Sequence, residues 1–193
     1  MQHFMLVDNF DFKINYHKAH VRAIAMVENE LYSRFGLSNE SRIEKALLGC
    51  IGELAFEHML IQKKFSFKVD RENYKSRNSD EYDFLINSKK LDVKVAKKST
   101  SNHPNDNWTY GYPSEQKPAL KDFIIVGWVD FINEAVGFYG WTTGNLVDKC
   151  PVVNSNSYKG YKYLTPNHEF KWGALNKSFE QLFENIFAPA KFI

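Results

Sequence analysis

Residues 81–99, EYDFLINSKKLDVKVAKKS, are the stretch of this 193-residue sequence around which the predicted fold is organised. Apolar and polar side chains alternate in both arms, which predicts two short β-strands joined by a polar turn at residues 87–90. Asp92 and Lys94 share one face of the second arm. If the arms pair as a hairpin, Asp83 lies on the neighbouring strand beside them. Two carboxylates and a lysine next to apolar neighbours are costly to bury, so this cluster predicts a functional site.

The composition indicates a globular chain that can bury a sizeable core. The sequence is 44% hydrophobic and 16% aromatic, which argues against disorder. The length favours one domain spanning residues 1–193. A formal net charge of +2 allows a nucleic-acid partner only through a local basic patch.

The cysteines and the N-terminus point to the cytoplasm. Cys50 and Cys150 lie far apart with no metal-type spacing, which predicts reduced thiols in a reducing compartment. The first residues, MQHFMLVDNFDFK, lack the charged segment and apolar run of a signal peptide. No stretch approaches the ~18 apolar residues of a membrane span. We therefore expect a cytoplasmic protein with no membrane partner.

Helical periodicity predicts three main helices. The first covers residues 17–35, with an apolar stripe from Val21 to Phe35, and ends at Gly36. The second covers residues 43–63 and begins at a capping box that starts with Ser41. The last covers residues 176–187.

Two glycines, Gly49 and Gly52, interrupt the second helix. Each costs roughly 1 kcal/mol relative to alanine in a helix interior. We therefore expect this helix to approach a sheet or another helix closely at both glycines.

Strand patterns surround the hairpin. Residues 122–130 form a continuous apolar run, which predicts a central strand covered on both faces, and residues 135–143 are its expected neighbour. Two further extended segments are predicted, an edge strand or extended arm in residues 1–16 and a strand at 65–70. The predicted loops are a polar loop at 71–80 and a long functional loop at 99–118. A short helix towards Lys149, capped by Thr143 or Asn145, and an irregular segment at 151–170 complete the predictions.

In the resulting order, a helix with Glu53 precedes a strand, a strand with Asp83, a strand with Asp92-Val93-Lys94, and two more apolar strands. In this order the sequence resembles the PD-(D/E)XK nuclease superfamily, particularly its phage and restriction-type members. The matching motifs are YDFLI, LDVKV and the helical segment GCIGELAFEHML, and the resemblance covers roughly residues 45–145. No proline precedes Asp83, and the acid of the Asp-X-Lys tripeptide is Asp rather than the commoner Glu.

The resemblance implies an α/β fold with a restriction-endonuclease-like core at roughly residues 41–145. A central mixed β-sheet would be flanked by helices, and helices 17–35 and 176–187 would be additions to the core. The implied function is a Mg²⁺-dependent endonuclease that hydrolyses phosphodiester bonds in DNA, with Mn²⁺ able to substitute. The alternative is a catalytically inactive nucleic-acid-binding protein on the same fold.

The expected partner is DNA, and the sequence leaves RNA open as a substrate. By analogy with such enzymes, which often cut both strands as homodimers, a homodimer is a further expectation. The resemblance places the protein in the cytoplasm of a bacterial or phage-infected cell.

Phosphodiester hydrolysis by a metal enzyme gives each motif residue an expected role. Asp83 and Asp92 would supply carboxylate ligands to Mg²⁺, and the carbonyl of Val93 would be a third ligand. Glu53 would reach in from the helix, directly or through water. Lys94 would orient or deprotonate the attacking water, or stabilise charge in the transition state.

Each of these residues also has a structural interpretation. Asp83 taken alone could equally be a salt-bridged or turn aspartate. Asp92 and Lys94 taken alone fit the solvated face of an edge strand. Glu57, one turn beyond Glu53, is the alternative helix acid.

Six further residues are candidates for contacts with nucleic acid or substrate. Lys97 and Lys98 continue the active strand, and one of them would contact a phosphate, unless they are a solvated strand end. Trp108, Tyr110 and Tyr112 would stack on bases or contact a groove, unless the loop is held in place by its own aromatic side chains. Gln116, before the central strand, would be an extra active-site residue.

Overall fold

The computed structural model of the chain describes residues 4–70 and 82–188. The elements within these residues follow in the order β1 (Met5–Leu6), α1 (Phe12–Glu28), α2 (Asn39–Gln62), β2 (Lys68–Val69), β3 (Phe84–Ile86), β4 (Lys89–Lys97), β5 (Thr109–Pro113), β6 (Phe123–Asp130), β7 (Ala135–Thr143), α3 (Gly144–Asp148), β8 (Val152–Ser155), β9 (Lys162–Lys171) and α4 (Phe179–Phe187). The loop predicted at 71–80 lies outside the described residues.

The main sheet is mixed and has six strands in the order β1-β7-β6-β4-β3-β2. Strands β3 and β4 pair antiparallel, β6 runs parallel to β4, and β7 runs antiparallel to β6. The hairpin turn consists of Asn87 and Ser88, which both have positive φ angles (47° and 63°), as two-residue hairpin turns require. An α/β fold with a mixed sheet flanked by helices is therefore confirmed, as is the hairpin itself.

The strands predicted next to the hairpin are also confirmed. Strand β6 covers all but the first residue of the predicted range 122–130, and β7 matches 135–143. Every residue of β6 is buried, because the sheet is covered on both faces. Among residues 4–16 of the predicted edge strand or arm, Met5–Leu6 form a strand, which pairs with β7. The strand predicted at 65–70 is limited to β2.

The prediction of a first helix at residues 17–35 is wrong at both ends. Helix α1 begins at Phe12, because the side chain of Asp11 caps it by accepting the N–H of Ile14 at 3.0 Å, and it ends at Glu28. Gly36 instead ends a short 3-10 turn, Ser33–Phe35.

The predicted apolar stripe of this helix is wrong as well. Val21 is exposed, and the buried positions are Phe12, Ala19, Ala23 and Val27. Ala19 and Ala23 are fully buried, whereas Val21 lies on the exposed face of α1.

Helix α2 begins four residues earlier than predicted. Ser38, not Ser41, is its N-cap, and the Ser38 hydroxyl accepts the N–H of Ser41 at 3.3 Å. The close approach predicted at Gly52 is confirmed, since a Cβ there would lie 2.7 Å from both γ-carbons of Val95 on β4. The same prediction for Gly49 is wrong, because a Cβ there would meet nothing within 4 Å.

We expect Gly52→Ala to lower the free energy of unfolding by about 1–3 kcal/mol, because the added methyl group would overpack the contact with Val95. The matched change Gly49→Ala is expected to raise it by about 1 kcal/mol, because it improves helix propensity without a clash. Urea denaturation of both variants checks this pair. Shifts of the same sign in the two variants would contradict the packing of α2 on β4.

A second sheet, with strand order β5-β9-β8, packs on the other face of the main sheet. Its strands share an apolar cluster with β6 and β7, made of Tyr112, Ile124, Val126, Trp128, Tyr139, Val147, Phe170, Trp172 and Leu175. The loop prediction for 99–118 holds for residues 99–108 and is wrong for the remainder, where β5 and two 3-10 turns follow. The irregular prediction for 151–170 is wrong, because β8 and β9 occupy most of this range. Strand β5 contains Gly111 and Pro113 and pairs with the distant β9, so its sequence alone does not indicate a strand.

Smaller predictions mostly hold. Helix α3 follows Thr143 at its N-cap position, and α4 begins at Phe179, after the N-cap Ser178, rather than at residue 176. Cys50 and Cys150 are not joined by a disulfide bond. Across residues 4–70 and 82–188, no helix is both long enough and apolar enough to cross a membrane.

Candidate active site

The hairpin brings the predicted cluster together. On β4, the Lys94 ammonium lies 2.8 Å from Oδ1 of Asp92. Asp83 directly precedes β3, and its Oδ2 accepts the N–H of Val93 at 2.6 Å. Asp83 and Asp92 are both buried, with 9% and 4% of their surface exposed. The solvated edge-strand interpretation of Asp92 and Lys94 therefore does not describe this strand, which lies between β3 and β6.

Tyr112 holds Asp92 from the second sheet. Its hydroxyl donates a hydrogen bond to Oδ2 of Asp92 at 2.7 Å, and the side chain is fully buried. The two oxygens of Asp92 are thus bound from different sheets, Oδ1 by Lys94 and Oδ2 by Tyr112. The base stacking predicted for Tyr112 is wrong, because its side chain is fully buried. Sequence reasoning missed its contact with Asp92, because β5 is recognised as a strand only through its pairing with the distant β9.

Glu53 reaches the site from α2 and is paired with Arg22 of α1. The guanidinium Nη1 lies 2.6 Å from Oε2 of Glu53, and the two side chains are only 12% and 14% exposed. Gly52, the residue before Glu53, is packed against Val95 of β4, so this turn of α2 lies directly over the strand that carries the cluster. This position favours Glu53 over Glu57 as the helix acid near the cluster. Arg22 was not found from the sequence.

Burial and neighbouring charges shift the pKa values of the two aspartates of the cluster in opposite directions. Burial, and next the negative charge of Asp92, raise the pKa of Asp83 well above its usual value. Burial opposes ionisation of Asp92 too, but Lys94 and Lys121 lower its pKa below the usual value. Burial disfavours the charged form of Lys94, yet Asp92 and Asp83 raise the pKa of Lys94 well above its usual value. At neutral pH the cluster therefore keeps Lys94 positive and Asp92 negative, and holds a proton on Asp83 more tightly than an exposed aspartate would.

The oxygen atoms of the cluster are of the chemical kind that a hard divalent cation binds. The N–H and C=O groups of one strand residue point to the same side, so the Val93 carbonyl points towards the edge where Asp83 binds the Val93 N–H. Mg²⁺ prefers oxygen ligands and is commonly held by one or two carboxylates, with water and phosphate oxygens completing its shell. Asp83, Asp92 and the Val93 carbonyl supply this kind of donor set. In the part of the chain that the structure describes, no group of three or more His, Cys, Asp or Glu residues is arranged to hold a metal ion.

Lys97 and Lys98 lie beyond the cluster at the end of β4. Lys98 forms an ion pair with Asp130 at 2.7 Å, and both side chains are at most 10% exposed. Its ammonium therefore already has a buried carboxylate partner. Lys97 is exposed and lies over the ring of Phe131 at 5.6 Å, as expected of a solvated strand end.

Trp108 and Tyr110 pack between the two sheets. Trp108 is half-buried, with its ring 5.1 Å from that of Trp172, and Tyr110 is half-buried with its ring 6.1 Å from that of Phe170. These positions favour the structural interpretation of the two residues. Gln116 lies in the 3-10 turn Ser114–Gln116 after β5, and its Oε1 is buried without a hydrogen-bond partner among the described residues.

Comparison of the chain with protein-family models, with curated proteins and with solved structures found no match. The functional assignment therefore depends on the residues and geometry of this cluster.

We expect Tyr112→Phe to lower the free energy of unfolding by about 1.5–3 kcal/mol, because it removes a buried hydrogen bond to the charged Asp92. The matched change Tyr158→Phe removes an exposed hydroxyl and is expected to alter stability by at most about 0.5 kcal/mol. Urea denaturation of both variants checks the prediction. Equal, small effects would show that the Tyr112 hydroxyl does not support Asp92.

Proposed function

We propose that this protein is a Mg²⁺-dependent endonuclease that hydrolyses phosphodiester bonds in DNA. The observation that carries the proposal is the buried cluster of Asp83, Asp92 and Lys94 on the hairpin. A structural ion pair needs one carboxylate, whereas a second buried carboxylate beside it costs stability. Clusters of titratable groups with strongly shifted pKa values are typical of active sites.

The arrangement of elements supports the same proposal. Helix α2, which carries Glu53, packs on β4, and the antiparallel strands β2, β3 and β4 lead to the parallel strand β6. This is the order of elements in which the sequence resembles the PD-(D/E)XK nucleases. We infer from it a restriction-endonuclease-like core.

Each residue of the cluster has a role in the proposed reaction. When bound, a divalent cation would lower the pKa of an attacking water and neutralise charge on the phosphate. Asp83, Asp92 and the Val93 carbonyl would hold it, and Tyr112 would fix the orientation of Asp92. Lys94 would donate hydrogen bonds from its ammonium to the attacking water or to a phosphate oxygen as negative charge develops there. Glu53 would act from α2, through water while it remains paired with Arg22.

The proposal is tested by incubating the purified protein with supercoiled plasmid, linear duplex, single-stranded DNA and RNA, each with Mg²⁺, Mn²⁺ or EDTA. We expect the plasmid to be nicked or linearised with either metal and to stay intact in EDTA. Cutting of a closed circle distinguishes an endonuclease from an exonuclease. Failure to cut any substrate under any metal condition would refute the enzyme proposal.

A catalytically inactive nucleic-acid-binding protein is the second candidate. It is favoured by one observation, that Glu53 and Asp92 already have partners in Arg22, Lys94 and Tyr112. The same substrate panel separates the two candidates, because a catalytically inactive protein would bind DNA without cutting it.

Two further properties stay predictions. One is a homodimer that cuts both strands, and the other is a location in the cytoplasm of a bacterial or phage-infected cell.

A further inference from the structure

An exposed basic and aromatic turn connects β8 to β9. We call residues 157–162, SYKGYK, the hairpin tip. Its side chains Tyr158 and Tyr161 are 61% and 53% exposed, and Lys159 and Lys162 are also exposed. The hairpin tip contains two lysines and no acidic residue. It is therefore a local basic patch on a chain whose overall charge is close to neutral.

Hydrogen bonds to the neighbouring residues Asn156 and Glu169 hold the backbone of the hairpin tip in place. Asn156 is buried, and its Oδ1 accepts the N–H groups of Tyr158 and Lys159 at 3.1 Å and 2.7 Å. The Nδ2 of Asn156 donates to the Thr109 hydroxyl of β5 at 2.8 Å. Glu169 of β9 accepts the N–H of Ser157 at 3.1 Å. A buried network thus fixes the turn while its four large side chains face solvent.

The chemistry of these side chains suits single-stranded nucleic acid. Lysine ammonium groups bind phosphates, and exposed aromatic rings stack on unpaired bases. Tyrosine is common at protein–protein interfaces but lysine is depleted there, so the two lysines favour a phosphate-bearing partner over a protein. A fixed backbone lowers the ordering cost of such binding.

Strand β5 connects the hairpin tip to the cluster. At its start, the Thr109 hydroxyl accepts the hydrogen bond from Asn156 beneath the tip at 2.8 Å. Three residues further along the same strand, the Tyr112 hydroxyl donates to Asp92 at 2.7 Å. Gly111, between these two residues of β5, is packed against Tyr163 of β9, since a Cβ there would lie 2.5 Å from Cζ of Tyr163.

We propose that the hairpin tip binds a single-stranded segment of DNA, with Lys159 and Lys162 on phosphates and Tyr158 and Tyr161 stacked on bases, and leads that strand towards Asp92 and Lys94. The direction of the strand rests on the proposed nuclease function, whereas the binding does not. We therefore assign base stacking to residues 157–162 instead of to Trp108 and Tyr110, for which it was predicted from the sequence.

The test is fluorescence anisotropy of labelled single-stranded DNA, duplex DNA and single-stranded RNA with the full chain in EDTA, where binding is measured without cleavage. We expect single-stranded DNA to bind best. Tyr158→Ala and Tyr161→Ala are each expected to weaken its binding about tenfold, in line with base stacking. Tyr158→Phe and Tyr161→Phe keep the rings and are expected to bind as the parent does.

The lysines are tested through the salt dependence of binding. The double variant Lys159→Gln/Lys162→Gln is expected to reduce the slope of log affinity against log salt by about 1.4, since each phosphate contact on a single strand contributes about 0.7. The double variant Lys13→Gln/Lys18→Gln changes the charge equally on the exposed face of α1 and is expected to leave the slope unchanged.

Thermal melting of the Tyr158 and lysine variants is expected to match the parent, because these side chains are exposed. Tyr161→Ala also removes a ring contact with Tyr163 at 5.5 Å, so its binding is interpreted only if the variant is folded at the assay temperature.

Three results would overturn this inference: no binding of single-stranded DNA by the parent, equal losses in the tip and α1 variants, or tighter binding of RNA than of DNA. Binding that depends on the hairpin tip in a parent that cuts nothing supports the inference and refutes the nuclease proposal. Cleavage by a parent whose binding is unchanged by the tip substitutions refutes the inference alone.

Discussion

Replacing Lys94 by alanine is expected to reduce cleavage of supercoiled plasmid by about 10²–10⁴-fold, the range lost when a positioned proton donor or a charge-stabilising group is removed. The physical reason is that Lys94 carries the buried positive charge of the cluster, 2.8 Å from Asp92. Single-turnover cleavage with Mg²⁺, with protein in excess over plasmid, measures the loss.

The control for Lys94→Ala is Lys149→Ala, which removes an exposed lysine after α3 and is expected to cut as the parent does. Alanine at position 94 also leaves Asp92 without its ion-pair partner, which is destabilising at a buried site. Lys94→Gln is therefore made in parallel, because it removes the charge and keeps a hydrogen-bond donor. A folded Lys94→Gln protein that cuts at the parental rate would remove Lys94 from the proposed mechanism.

Replacing Asp83 by asparagine is expected to stabilise the metal-free protein at neutral pH, because the carboxyl of Asp83 is buried beside the negative charge of Asp92 and asparagine carries no charge. Burial and Asp92 raise the pKa of Asp83 well above its unfolded value. Folded protein therefore binds more protons than unfolded protein between these two pKa values, and its stability falls as pH rises from about 4. Asparagine does not titrate, so the advantage of the variant is absent near pH 3 and grows with pH above about 4.

The same substitution is expected to abolish stabilisation by Mg²⁺. A cation that binds only the folded parent at 100 times its Kd raises the free energy of unfolding by about 2.7 kcal/mol. Thermal melting in EDTA and in Mg²⁺, across a pH series, measures both effects. The control Asp148→Asn changes an exposed carboxylate and is expected to keep the Mg²⁺ effect. Full Mg²⁺ stabilisation of Asp83→Asn would show that Asp83 is not a ligand.

The parts of the fold that could be predicted are those that local patterns determine. The hairpin follows from alternation on both sides of a short polar turn, and β6 follows from a continuous apolar run. The limits of α1 were missed because its cap, Asp11, lies in an aromatic segment that resembles a strand. Strand β5 was missed because its partner, β9, is remote in sequence.

The same distinction applies to the site. Asp83, Asp92 and Lys94 could be brought together from the sequence because they lie on one hairpin, where strand geometry alone sets their neighbours. Tyr112 and Arg22 could not, because they reach the cluster from β5 and α1 through long-range packing. Because the buried face of α1 was predicted wrongly, Arg22 was not recognised as a residue near the cluster.

The most direct test of metal-dependent phosphodiester hydrolysis is conversion of supercoiled plasmid by the purified protein, with and without Mg²⁺. Lys94→Ala protein, purified identically, shows whether any cleavage comes from a contaminating nuclease. We predict nicked and linear plasmid for the parent in Mg²⁺, and intact plasmid for the parent in EDTA and for Lys94→Ala in Mg²⁺. Intact plasmid in all three reactions, or equal cutting by parent and variant, would contradict the proposed function or the proposed site respectively.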